Sequence, residues 1–357
     1  MKVRSLAKLE PADVKKLRIL LRNEPPSWIE EWILLGGYGG LLGKLKEILE
    51  LEWREEQHDD QVLHELGKCL KALLTTEAGR SALALHSPSP FVQLTSLLLS
   101  EKKPGDLPIR QIIVELILGL FEIFPHGYSP SGSPRRSEFR HYRSSTPPMA
   151  APGRSAHLLV RSLIVGPPDP KQESKPDFMQ EVHRPRIYKN WLSEFLGVLM
   201  DYFWVFCHSQ NTFGDLRQMN QDEMEAPKVP GGMTGGVEFE AMAYCATHFK
   251  LINALARTCP SDTDAYRFHH DLFESGLERI LMTLRKCSTT YYPSVHLELA
   301  RYIDLARKAH YDLPAVVIEK CDGVSATERR IAAAKMHQRR EGARSHNSPA
   351  LPPLSFN

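Results

Sequence analysis

An all-α solenoid with a disordered insertion is the fold class this sequence predicts, and three observations carry it. Apolar residues recur at helical spacing along most of the 357 residues. No alternating run of β-branched residues bounded by hairpin turns occurs. Connections are short and rich in glycine or proline, as at 36–40 (GGYGG) and 258–261 (TCPS). Helices joined this way pack as antiparallel neighbours, which suggests helix pairs stacked one on another.

The elements follow in order. Val14, Leu17, Leu20 and Leu21 make one apolar stripe, and Leu41, Leu42, Leu45, Ile48 and Leu49 a second. Leu63, Leu66, Leu70, Leu73 and Leu74 make a third, stopped by Thr75, Thr76 and Gly79. Phe91–Leu99 and Ile112–Phe124 are apolar over most of their surface, as buried helices are. Later helices are expected at about 188–207, 237–257, 263–287 and 294–310. Segments 129–155 and 166–176, rich in Pro, Ser, Gly or Arg, lack the apolar content that offsets ordering entropy and read as disordered. Between them, Leu158–Val165 reads as one docked helix. After Val324 a basic stretch (Arg329, Arg330, Lys335, Arg339, Arg340, Arg344) dissolves into SPALPP and reads as an unpacked tail.

Composition excludes several function classes. A net charge of +2 gives no global field for nucleic acid or anionic membrane. The longest apolar run, Ile109–Phe124, carries Arg110, Gln111, Glu115 and Glu122 and is too short and polar to span a bilayer. The six cysteines, Cys69, Cys207, Cys245, Cys259, Cys287 and Cys321, are far apart and mostly sit in apolar stretches, as buried free thiols of a cytosolic protein do.

Motifs for chemistry fail on inspection. Gly43-Lys44 follows a glycine cluster, but Leu45 stands where a phosphate loop needs Ser or Thr, so the cluster reads as a helix cap. The second cluster, Gly231–Gly236, leads into a helix whose Glu238 and Glu240 suit the positive end of its dipole. Cys207-His208, Cys245 with His248, and His269-His270 are pairs, two ligands short of a tetrahedral site. Gly-x-Ser-x-Gly is absent. Tyr202–Phe206 lacks the basic neighbours of a base-stacking surface and reads as core. The residues call for no enzyme activity, metal or cofactor.

A resemblance supplies what composition does not. The 23–29 stretch (NEPPSWI) and the helix after it look like the start of a formin GTPase-binding region. KCLKALL at 68–74 resembles that family's helix ending at its GTPase-contacting turn, with Thr75-Thr76 where an asparagine pair is usual. The stretch 230–255, above all LINAL at 251–255, resembles the groove-forming helix of the armadillo-like inhibitory domain of diaphanous-type formins. HDLFESGL at 270–277 resembles the next helix junction, and PRIY at 185–188 and DYFWVFCH at 201–208 look like the fungal branch. The ordered set covers roughly residues 10–312.

The resemblance implies an armadillo-like helical-repeat solenoid: GTPase-binding helices and first repeat at 1–75, an inhibitory domain at 76–312 and a basic tail at 313–357. It implies that an activated, GTP-bound Rho-family GTPase and a C-terminal autoregulatory helix of a formin bind in mutual opposition, controlling actin nucleation and actin cytoskeleton organisation. The implied setting is cytoplasmic and cytoskeletal, at the cell cortex, growing tips or division septum. The matched helix end puts GTPase binding on Lys68, Lys71, Leu74, Thr75 and Thr76, backed by Lys15, Lys16, Arg18 and Arg22. Spacing puts Cys245, Phe249, Ile252 and Ala256 on one helix face, and the LINAL match makes that face the expected groove for the autoregulatory helix. The alternative is a helical-repeat scaffold that binds no GTPase. The proline-rich and actin-nucleating regions expected beside such a module do not occur within the 357 residues.

Overall fold

The computed structural model describes residues 9–124, 155–165, 186–202, 208–219 and 226–325, with residues 327, 330, 331 and 334. The expected disordered segments apart from Ser155, most of the Tyr202–Phe206 run and most of the chain after Ser325 lie outside these residues. Ser155 is buried, and so are Leu313, Ala315, Val317 and Cys321, so the start of the expected 313–357 tail is packed. Among the described residues there is no strand, only an isolated parallel bridge between Phe213 and Cys321. No described helix is long and apolar enough to cross a membrane.

Helices α1 (Pro11–Asn23), α2 (Pro26–Leu34), α3 (Gly37–Leu49) and α4 (Asp59–Leu73) open the array. Then come α5 (Glu77–His86), α6 (Ser89–Leu98), α7 (Leu107–Ile123), α8 (Ala156–Ile164), α9 (Lys189–Tyr202) and α10 (Met233–Arg257). The last four are α11 (Asp262–Glu274), α12 (Leu277–Leu284), α13 (Pro293–Lys308) and α14 (Ala315–Ile318). The expected 263–287 helix is therefore two helices. Gly276, at φ 107°, turns the chain between them, a left-handed corner that glycine takes without Cβ strain. Gly36, at φ 85°, makes the same corner between α2 and α3.

Among the described helices the packing groups in threes where the sequence suggests pairs. The most extensive packing runs along every third described helix, α1–α4–α7–α10–α13, and the intervening helices stack outside this ladder. Among the described residues two shorter α-helices precede each of α4, α7, α10 and α13, giving the units α2–α4, α5–α7, α8–α10 and α11–α13. A solenoid of this kind is held by contacts between neighbours.

Each junction of the ladder combines apolar burial with a polar tie. Arg18 on α1 pairs with Glu65 on α4 at 2.7 Å. The buried Glu194 on α9 takes Lys103, Arg110 at 3.1 Å and the Tyr244 hydroxyl at 3.3 Å, drawing the second and third units together. Asn253 on α10 donates to the Glu298 carbonyl and carboxylate on α13 at 2.9 and 2.8 Å. Unpaired buried charges would cost several kcal/mol, roughly, so these pairings fix which side chains face each other.

Around α10 the core is aromatic. His248 accepts from the Trp191 indole at 3.1 Å and lies 4.8 Å from the Phe195 ring and 4.4 Å from the Tyr244 ring. Burial drives the His248 imidazole down to about 3 and that of His269, bonded to the Tyr302 hydroxyl, down to about 4. Both stay neutral in the fold, whereas the unfolded chain protonates them near pH 6.5. The unfolded state thus binds more protons as pH drops, and stability falls from pH 6.5 towards those depressed values. His248→Gln, which keeps an acceptor for the indole, should flatten this pH dependence in denaturation curves. An unchanged slope would mean His248 is not among the groups responsible.

Two glycines test the packing. A Cβ on Gly79 would lie 2.1 Å from the Leu73 carbonyl oxygen, whereas one on Gly43 would meet nothing within 4 Å. Thermal melting should show Gly79→Ala destabilised by about 1–3 kcal/mol and Gly43→Ala stabilised by up to about 1 kcal/mol. The opposite ranking would contradict the tight α4–α5 turn.

Candidate functional site

Packing on both flanks leaves α4 and α7 with narrow solvent-facing edges, and α10 and α13 also keep partly open positions. On α4 the edge carries Gln61, His64, Glu65, Lys68 and Lys71, continued by Thr75, and on α7 it carries Gln111, Glu115, Leu118 and Glu122. The α10 edge holds Phe239, Glu240, Ala243, Lys250 and Arg257, and the α13 edge Arg301, Asp304, Leu305 and Lys308. The residues of each edge follow one another at helical spacing, while the alternate positions are apolar and buried.

The five residues expected at the GTPase contact divide by role. Lys68, Lys71 and Thr75 lie on the α4 edge; the Lys71 side chain is 52% exposed and that of Lys68 34%. Leu74 does not belong to that surface. It is buried against α7, where a Cβ on Gly119 would come within 2.5 Å of its Cδ1 atom. Thr76 is a helix cap: its hydroxyl accepts the Gly79 N–H at 3.2 Å and starts α5. The turn is braced by Thr75, which donates to the Ala72 carbonyl at 2.7 Å, and by Arg80, which donates to the Leu74 carbonyl at 2.8 Å. Of the basic residues on α1, Lys15, Lys16 and Arg22 face solvent, while Arg18 is turned inward onto Glu65.

Charges at this helix end are organised as a chain of ion pairs. Glu65 takes Arg18 on one oxygen and Lys68, at 3.2 Å, on the other. Burial alone would push its carboxyl up, but the Arg18 and Lys68 hydrogen bonds outweigh that and hold it below the ordinary value. Lys71 reaches across to Glu115 on α7 at 2.6 Å, and Gln111 donates to the other Glu115 oxygen at 3.0 Å. Sequence reading missed Glu115 because it lies in a helix that is apolar over most of its surface. The spacing of Gln111, Glu115, Leu118 and Glu122, at four, three and four residues, is the signal that marks the edge.

The expected groove face is core. Cys245, Phe249 and Ile252 are completely buried, and Ala256 is nearly so. Phe249 shows why: its ring lies 5.7 Å from Phe195 on α9 and 6.1 Å from Tyr302 on α13, so neighbours cover this stripe. The LINAL match marks the same packing, with Leu251, Ile252 and Leu255 buried and Asn253 tied to α13. The open edge of α10 is the one bearing Phe239, Ala243 and Lys250.

Of the cysteines described, Cys69, Cys245, Cys287 and Cys321 are buried and Cys259 is partly so. Burial pushes the Cys69 and Cys259 thiols up to about 12. His248 Nδ1 takes the Trp191 indole, and no described group of three His, Cys, Asp or Glu residues is placed to hold a metal ion.

Residues 2–118 match the Diaphanous GTPase-binding Domain. The chain is also 31% identical over 300 residues to the protein named GTPase-binding protein rid1 from Schizosaccharomyces pombe. That alignment takes in 84% of this chain and 66% of the relative, so the chain spans slightly less than two thirds of the relative's length.

Ile252→Asp would put an unpaired charge in the core, at a cost of about 4 kcal/mol or more, and should abolish cooperative melting. Lys250→Glu, two positions earlier on the open edge, should melt like the wild type. A cooperatively folded Ile252→Asp variant would return that residue to the surface and contradict this register of α10.

Proposed function

We propose, on the premise that residues 2–118 belong to the diaphanous GTPase-binding domain family, that this chain is a regulatory module rather than an enzyme. It binds a Rho-family GTPase in its GTP-bound state. The observation that carries this reading is the exposed basic end of α4, Lys68, Lys71 and Thr75, lying within the matched segment and continued across Glu115 onto α7. Acidic and apolar groups in a GTPase's switch segments complement such a surface, and electrostatic matching sets approach rate and orientation more than raw affinity. The relative's name, a GTPase-binding protein, accords with this.

The second half of the reading is a helix-in-groove contact. The solvent edges of α7, α10 and α13 carry apolar groups (Leu118, Phe239, Ala243, Leu305) among charges (Glu122, Lys250, Arg301). A formin's amphipathic autoregulatory helix lays its apolar side on these edges and is released when the GTPase binds, so each ligand weakens the other equally. Through that release the module acts on actin nucleation and actin organisation. It works in the cytoplasm at the cortex, growing tips or septum.

A panel of Rho-family GTPases, each loaded with a non-hydrolysable GTP analogue or with GDP, tests this directly. At least one member should bind the wild-type chain selectively in its GTP form. Lys71→Glu, which adds a carboxylate beside Glu115, should weaken that binding by about tenfold, or about 1.4 kcal/mol, without shifting the melting temperature. Binding that ignores the nucleotide, or is untouched by Lys71→Glu, would refute this assignment of the surface.

A further inference from the structure

Lys68 and Lys71 stand three residues apart on α4, yet they are held in different ways. Lys68 pairs within its own helix with Glu65, which Arg18 also holds, so its partner is fixed from two sides. Lys71 leaves its helix and ends 2.6 Å from Glu115 Oε2 on α7. Glu115 is anchored through its other oxygen by Gln111 and is only 22% exposed, whereas Lys71 is 52% exposed. The lysine therefore rests against a fixed carboxylate while half of its surface remains open to an incoming group.

We propose that Glu115 is a built-in competitor for Lys71: in the free protein it occupies the position that a carboxylate of the GTPase takes in the complex. This deepens the GTPase reading and rests on it. When the partner's carboxylate takes Lys71, Glu115 keeps its Gln111 contact and turns to solvent. The exchange trades one ion pair for another and needs no opening of the α4–α7 packing, where Leu74 lies against Gly119. Exposed pairs of this kind contribute about 0–1 kcal/mol, weak enough to be displaced and enough to shift affinity by up to about fivefold. Glu115 thus tunes how tightly an acidic partner binds, and Gln111 acts through it as a positioning residue.

Removing a negative charge would favour an acidic partner anywhere on the surface, so a long-range field must be separated from competition. Glu122, seven residues along α7 and beyond the proposed GTPase contact, reports the field. The full chain is measured as wild type, Glu115→Gln, Lys71→Met, the double variant and Glu122→Gln. Each is titrated with the GTP-analogue-loaded Rho-family GTPase that the wild type binds best, at low and high ionic strength.

Glu115→Gln should tighten binding about two- to fivefold at low salt, and less at high salt. The gain should vanish in the Lys71→Met background and should exceed that of Glu122→Gln. An equal gain with and without Lys71, or none at all, overturns the competitor role while leaving GTPase binding in place. Absence of GTP-dependent binding by the wild type overturns the GTPase reading and this proposal together. Melting curves establish that each variant is folded; should Glu115→Gln melt early, Glu115→Ala replaces it with the same expectation.

Discussion

The lateral packing of every third helix governs the rest of the structure. Because α4, α7 and α10 each lie between two ladder helices, they are covered on their flanks and keep only narrow open edges. That constraint explains why α10 carries an apolar stripe that is not a binding face. It explains why α7, apolar over most of its surface, still shows a polar row, and why the end of α4 presents lysines rather than leucines. On the ladder helices, binding residues fall on the edges, since the covered positions hold the array together.

The junctions of the ladder differ in how deeply their polar ties are set. Glu194 with Arg110 and Tyr244, and Asn253 with Glu298, are buried, and removing one partner would strand a polar group in the core. Arg18 with Glu65 is largely covered, with side chains 19% and 13% exposed. Lys71 with Glu115 is the open one of the four. The tie easiest to exchange thus falls between the first two repeats, inside the segment matching the Diaphanous GTPase-binding Domain.

Much of this was legible in the residues, and the misses have physical causes. Stripes such as Leu63, Leu66, Leu70 and Leu73 announce α4, and all four are buried. The triplet grouping is hidden in the sequence because the described helices of the third unit are spread over residues 156–257. The stripe Cys245, Phe249, Ile252 and Ala256 was read correctly as one face. Periodicity says that a face is apolar, but not whether a neighbouring helix or a ligand covers it. Leu74 was misplaced for a related reason: at a helix end, one residue decides between the last turn's core side and its open side. Thr76, expected at the partner contact, also caps α5, a role the sequence shows only as a Thr at a helix start.

The central claim is that a GTP-loaded GTPase engages the α4–α7 edge junction. Amide hydrogen exchange on the full chain, alone and with the GTPase in each nucleotide state, tests it most directly. Slowed exchange is expected at the C-terminal half of α4, the turn through Arg80 and the Gln111–Leu118 part of the α7 edge, only with the GTP-analogue form. Protection confined to the later helices, or the same with GDP, would contradict it.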